Sequence, residues 1–149
     1  MTTLEEAVGL ASAESGLAVV STVRRDGTVQ ASLVNVGAFT HPVSGERVLA
    51  FVTYGRVKLA NLRSRPATAV TFRDGWRWAT VEGAAELVGP DDPQPWLDGS
   101  VDGGLRLLLR EVFKAAGGTH DDWAAYDRVM AEQRRTVVLI APSRVYSNG

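Results

Sequence analysis

The sequence predicts a mainly β domain with helices, an α+β fold built round a small antiparallel barrel. Two Asp-Gly pairs, Asp26-Gly27 and Asp74-Gly75, each separate runs rich in β-branched residues, the strongest short-range signal for a hairpin. Helical periodicity is confined to the first sixteen residues, a short stretch after Gly55 and a late stretch between two β segments. The 149 residues, 45% apolar and 22% charged, suit one globular domain, residues 1–149, with a single core.

Thr2 and Thr3 each stand three residues before a glutamate, and Leu4, Ala7, Val8 and Ala11 recur at helical spacing. This predicts a short amphipathic helix ending by Gly16. Leu17 to Arg24 reads as a strand, Asp26-Gly27 as its turn, and Thr28 to Phe39 as one extended second strand. Pro42 and Gly45 break the pattern before a third strand from Arg47 to Tyr54. Gly55 ends that strand and VKLANLRS keeps helical spacing until Pro66, so strand three runs directly into a short helix starting near Arg56. Ala67 to Arg73 and Trp76 to Val88 flank the second turn, with a bend at Gly83. Five strands linked by hairpins imply a closed barrel or a tight sheet.

After the loop GPDDPQP, Leu105, Leu108, Leu109, Val112 and Phe113 trace one helix face up to Gly117-Gly118. Thr119-His120-Asp121-Asp122 has the form of a capping box and opens a helix with Trp123, Tyr126 and Met130 on one side. Thr136 to Ala141 is a last apolar strand, interrupted by Pro142. This helical insertion either covers the barrel or shapes a substrate pocket.

Composition removes several chemistries. With no cysteine there are no disulfides, thiolate metal sites or cysteine nucleophiles. His41 and His120 are far apart in sequence, so no metal site is expected, and both read as structural. The first residues carry acids where a signal peptide carries bases, and no apolar run approaches the ~20 residues that span a bilayer. A cytoplasmic protein without membrane contact is expected. The net charge of −1 conceals a basic segment, because residues 47–77 hold Arg47, Arg56, Lys58, Arg63, Arg65, Arg73 and Arg77 against Asp74 alone.

The informative stretch is VTYGRVKLANL, residues 52–62, which puts a hydroxyl, a glycine, an arginine and a lysine where a strand meets a helix N-terminus. Unpaired N–H groups and the helix dipole favour an anion there. Thr53 can donate a hydroxyl, Gly55 admits close approach, Arg56 offers a two-pronged contact and Lys58 a point charge. The same two cations also read as solvated helix-end charges.

On these residues the chain resembles a known family. A first helix, the hairpin VSTVRRDGTVQASLVNV and a strand leading into GRVKLANLRSRPATAVTF look like the pyridoxamine 5'-phosphate oxidase-like, FMN-binding split β-barrel, with a helical insertion before the last strand. The spacing of Arg56, Lys58, Asn61 and Leu62, then Pro66, resembles the actinobacterial branch that uses the deazaflavin coenzyme F420. The resemblance implies that Thr53, Arg56 and Lys58 hold the cofactor phosphate with Asn61 in support, and that Ser32, Leu33 and Val34 wall the tricyclic ring. It further implies a homodimer with shared sites, in which Trp78, and less so Trp76, lends an aromatic wall to the partner; without it, both read as packing. The chain stops at SRVYSNG rather than in a tryptophan- and arginine-rich segment, which speaks against vitamin chemistry.

The leading expectation is an F420-dependent oxidoreductase that passes hydride from reduced cofactor to an electron-poor conjugated small molecule. Arg47, Arg63, Arg65 and Arg77 are candidates for the cofactor's glutamate tail. An FMN-dependent enzyme of the same fold is the alternative, and a non-catalytic flavin or deazaflavin carrier a third, because no residue declares itself a catalytic acid or base. A nucleic-acid-binding barrel stacking bases on Phe51, Tyr54, Phe72 and Trp76 is disfavoured, since these aromatics alternate with core-type residues in a slightly acidic chain.

Overall fold

A computed structural model describes residues 1–97 and 104–149 of the chain. Residues 98–103, part of the expected insertion, lie outside the described residues. Thr3 caps α1 (Leu4–Leu10) through its Oγ1, which accepts from the Glu6 N–H at 3.1 Å, and a 3-10 turn over Ala11–Glu14 completes the segment. The strands are β1 (Leu17–Val23), β2 (Val29–Asn35), β3 (Gly37–Thr40), β4 (Arg47–Thr53), β5 (Ala67–Asp74), β6 (Arg77–Val88) and β7 (Thr136–Ser147). Helix α2 (Arg56–Ser64) follows β4, and α3 (Leu105–Ala115) and α4 (Trp123–Glu132) precede β7.

All seven strands form one antiparallel sheet in the order β2-β1-β5-β6-β7-β4-β3. The expected single strand from Thr28 to Phe39 is therefore two strands, and they occupy opposite edges of the sheet. The break falls at buried Val36, whose N–H donates to the Gly16 carbonyl rather than to a ladder. One residue between β2 and β3 spans about 7 Å, whereas the edges of a flat seven-stranded sheet lie about 29 Å apart. The sheet must roll until its edges meet at Val36. No ladder joins those edges among the described residues, so the barrel is split rather than closed.

The roll creates two apolar cores. Val20, Phe51, Phe72, Val81, Val138 and Ile140 fill the interior with α1 packed across it. On the other side, Val48 and Ala50 of β4 and Val137 and Leu139 of β7 pack against Leu108, Leu109, Val112 and Tyr126 of the insertion. Both faces of β4 and of the first half of β7, Thr136 to Ile140, are buried, which is why these segments read as continuous apolar runs. The insertion covers the barrel at this face.

Three local expectations need correction. Pro142 does not interrupt β7; it pairs with Gly83 where the β6–β7 register shifts, and the irregularity relieves the ladder of the N–H that proline lacks. Helix α4 is capped by Asp122, which accepts from the Ala125 N–H at 3.1 Å, because the chain turns helical only after that residue. Trp76 lies in the turn rather than opening the strand, which starts at Arg77.

Gly83 is required by proximity rather than by its own dihedrals. A Cβ there would stand 2.1 Å from the Ala141 carbonyl oxygen, a backbone atom. Gly83→Ala is expected to destabilise the fold by about 2–3 kcal/mol, lowering Tm by roughly 6 °C or more. Calorimetry checks this, and an unchanged Tm contradicts it.

Candidate functional site: a cationic cavity between barrel and insertion

Where the rolled sheet meets the insertion it leaves a cavity of about 600 Å³, within the range of small-molecule sites. The edge of β2 contributes Leu33 and Val34, the β4–α2 junction contributes Thr53, Gly55 and Lys58, and the insertion contributes Phe113, Tyr126 and Met130. Among the described residues no aspartate or glutamate lines it, while Lys58 and Arg135 do.

Lys58 is 6% exposed, and its Nζ donates to Thr53 Oγ1 at 3.4 Å and lies 5.9 Å from the Phe51 ring centroid. It has no carboxylate partner among the described residues, and burial holds its pKa below the ordinary lysine value. An ammonium so placed is costly until an anion joins it. Thr53 Oγ1 also accepts from the Gly55 N–H at 3.2 Å. A Cβ on Gly55 would sit 3.6 Å from Thr53 Oγ1 and 3.8 Å from Lys58 Nζ, filling the cradle between them. Helix α2 carries no side-chain cap, and the first N–H groups of a helix have no intrahelical partner. A phosphate monoester fits this donor set.

Arg135 stands at the mouth, its Cζ 3.8 Å from the Tyr54 ring centroid. Its Nε donates to Gln133 Oε1 at 2.8 Å, no carboxylate pairs with it among the described residues, and burial lowers its pKa. The turn that delivers it is a Schellman motif: Arg134 is left-handed at φ 52°, the Arg135 N–H donates to Met130 O, and the Arg134 N–H to Ala131 O. Tyr126 turns its ring to the cavity, but its hydroxyl donates to Leu109 O at 3.1 Å, and burial pushes its pKa up to about 12. It holds its proton.

Of the eight residues expected at the site, Leu33, Val34, Thr53 and Lys58 line one cavity. Ser32 precedes Leu33 on β2 and does not line the cavity; its Oγ is buried without a hydrogen-bond partner among the described residues. Arg56 opens α2, exposed and without a side-chain partner among the described residues. Asn61 is buried, its Nδ2 donating to Thr22 Oγ1 at 3.0 Å, so it braces α2 against β1 rather than facing the cavity. Trp78 lies on the outer sheet face, edge-on to Tyr146 at 6.1 Å. It stands three strand spacings from Leu33, about 14 Å.

Of the other basic residues, Arg63 grips Asp92 through two hydrogen bonds, Arg47 meets Glu5, and Arg65 donates to Val23 O. His41 accepts from the Val43 and Ser44 N–H groups through Nδ1, so Nε2 carries the proton towards Glu86 Oε1 at 2.8 Å. His120 Nδ1 accepts from the Asp122 N–H. Neither histidine lines the cavity, and no metal-binding cluster occurs among the described residues. Nor is any described helix long and apolar enough to cross a membrane. Arg135, Phe113, Tyr126 and Met130 escaped the sequence as parts of this site, because they are remote from Lys58 in the chain and reach it through the packing of the insertion and the β4–β7 pairing, Thr53 opposite Thr136; Tyr54 lies within the expected junction but was not read as part of it.

A rolled seven-stranded sheet, open along one seam, with an anion cradle where a strand turns into a helix, defines the split β-barrel class. The family profile described as "Pyridoxamine 5'-phosphate oxidase" matches residues 4–149, and the chain belongs to that family. Solved structures agree in fold. An F420 reductase superposes with a TM-score of 0.60 at 21% identity, covering 98% of this chain and 98% of that one. A conserved hypothetical protein from Mycobacterium tuberculosis gives 0.63 at 20%, covering 99% and 84%. A pyridoxamine 5'-phosphate oxidase-related, FMN binding protein from Nostoc punctiforme gives 0.61 at 14%, covering 95% and 79%.

Removing the buried charge separates stability from binding. Without anion, Lys58→Met is expected to raise stability by about 0.5–2 kcal/mol, since an apolar chain of similar length replaces an unpaired ammonium. Millimolar inorganic phosphate should raise the parent Tm and leave the variant unmoved. A variant less stable than the parent that still responds to phosphate contradicts this site.

Proposed function

We propose that the chain is an oxidoreductase that binds coenzyme F420 by its phosphate and passes hydride to an electron-poor conjugated small molecule. The observation that carries this reading is the buried, acid-free Lys58 ammonium beside a cavity walled by apolar and aromatic side chains. Lys58, the Thr53 hydroxyl and the free N–H groups of α2 hold the phosphate, with Arg56 closing over it from the exposed side. Leu33 and Val34 wall the ring, with Ser32 beside them on β2. Asn61 keeps α2, and so Lys58, in place. The cofactor, when bound, supplies the hydride; the protein supplies position and a field that favours anions. The full-length likeness to an F420 reductase supports the choice of deazaflavin.

FMN is the second reading, and one observation favours it. Arg47, Arg63 and Arg65, which a glutamate tail would require, are already engaged with Glu5, Asp92 and the Val23 carbonyl. A non-catalytic carrier shares the same cradle and is excluded only by turnover.

We further propose a homodimer built on the outer face of the sheet. Register sets Leu33, Val19, Thr71, Thr80 and Tyr146 in one row across five strands. Val29 and Leu33 on this face are 60% and 63% exposed, an apolar surface that a second copy would cover. Trp78 shares the face, so in a dimer it can approach the partner's cavity.

Titration with F420 and with FMN, followed by visible absorbance, tests the reading. F420 is expected to bind more tightly, Lys58→Ala to weaken binding about tenfold to a hundredfold, and an electron-poor enone to oxidise the reduced cofactor in a dimer of about twice 16.0 kDa. Absence of binding by either cofactor contradicts the proposal; tighter FMN binding reverses the ranking, and binding without turnover leaves a carrier.

A further inference from the structure

We propose that Arg135 is a specificity-determining residue that holds a carboxylate on the acceptor molecule, so that the cavity takes planar conjugated acids in preference to their neutral counterparts. This rests on reading the cavity as a joint cofactor and acceptor site. Two cations line it, and they differ in kind. Lys58 lies deep, a point charge in a cradle that fits a phosphate. Arg135 lies at the mouth with its guanidinium held against Tyr54, 3.8 Å from the ring centroid.

That contact fixes the plane of the guanidinium before any ligand arrives. Nε is occupied by Gln133, which leaves the terminal nitrogens without a protein partner among the described residues. A guanidinium offering parallel N–H donors in a fixed plane matches the two oxygens of a carboxylate. Phe113 and Met130 line the same cavity and provide apolar surface for the conjugated body of such a ligand. Arg135 is also held on rigid backbone: the Schellman turn after α4 sets it in place, and β7 pairs with β4 from the next residue onward. Burying a half-covered guanidinium with no acid nearby has a cost, and an incoming carboxylate offsets it. Tyr54, Tyr126 and Lys58 are the other titratable groups lining the cavity; Tyr126 keeps its proton and Lys58 stays cationic while its anion is bound.

Isothermal titration of the cofactor-free protein with 4-nitrobenzoate and with neutral 4-nitrotoluene tests this. The parent is expected to prefer the acid at least tenfold, Arg135→Gln to lose the preference, Arg135→Lys to keep part of it, and Lys58→Ala to keep all of it. Tyr54→Leu, which frees the guanidinium without removing it, should reduce the preference to an intermediate value. FMN affinity of Arg135→Gln should stay within about threefold of the parent. The proposal is overturned if Lys58→Ala rather than Arg135→Gln removes the preference, or if Arg135→Gln weakens both nitro compounds and FMN alike. It is also overturned if the loss is confined to glutamate-tailed deazaflavin and spares its tail-less form. Failure of both cofactors to bind would sink the functional reading alone, since the nitro probes are read without cofactor.

Discussion

A single residue, Val36, joins the two edge strands of a seven-stranded sheet, and this short tether forces the sheet to roll. Every later feature depends on it. Rolling turns alternate side chains of β4 and β7 inward to form the barrel core and leaves the others outward, where the insertion must cover them. It also brings the free edge of β2 towards the β4–α2 junction. An edge strand has backbone N–H and C=O groups without ladder partners, so the wall facing the cavity is polar in its backbone and apolar in its side chains. The geometry suits a flat heteroaromatic ring with hydrogen-bonding edges.

The insertion has two roles that the packing makes inseparable. Arg110 pairs with Asp127 through two hydrogen bonds, tying α3 to α4, and Phe113, Trp123 and Tyr126 pack edge-on or tilted against one another, with Phe113 and Tyr126 at 4.9 Å. The far end of α3 presses on the backbone at Gly37, where a Cβ would come 2.1 Å from the Ala115 carbonyl oxygen. Close approach at that point sets the cavity's width, because Phe113 and Ala116 lie on the last turns of the same segment. Cover and pocket wall are one structure.

Local chemistry was legible in the sequence, and long-range pairing was not. The Asp-Gly turns, the Thr3 cap, the strand-to-helix junction at Gly55 and the bend at Gly83 each announce themselves within a few residues, and each is present. The split of the Thr28 to Phe39 run was hidden because alternation continues through Val36 and nothing local marks a change of neighbour. Pro142 misled for a related reason: its missing N–H matters only against the register of β6, which lies sixty residues earlier. That Thr53 and Lys58 would come together at the strand-to-helix junction was legible from their spacing. Arg135 was not, since its partner Tyr54 is remote in sequence and meets it only through the β4–β7 pairing. The engaged state of Arg63 was equally invisible, because Asp92 reaches it from a loop.

The candidate site depends on the buried ammonium of Lys58. In the free protein desolvation favours its neutral form, so its folded pKa lies below its unfolded one, and stability from this group rises as pH rises through the folded value towards the unfolded one. A bound phosphate reverses the preference by favouring the charged form. Heteronuclear NMR of the Lys58 side chain, titrated with pH in the absence and presence of inorganic phosphate, measures this directly. The expected result is a free pKa below the ordinary lysine value of about 10.4 that rises when phosphate binds. A free pKa at the ordinary value, unmoved by phosphate, would contradict the cradle and the function built upon it.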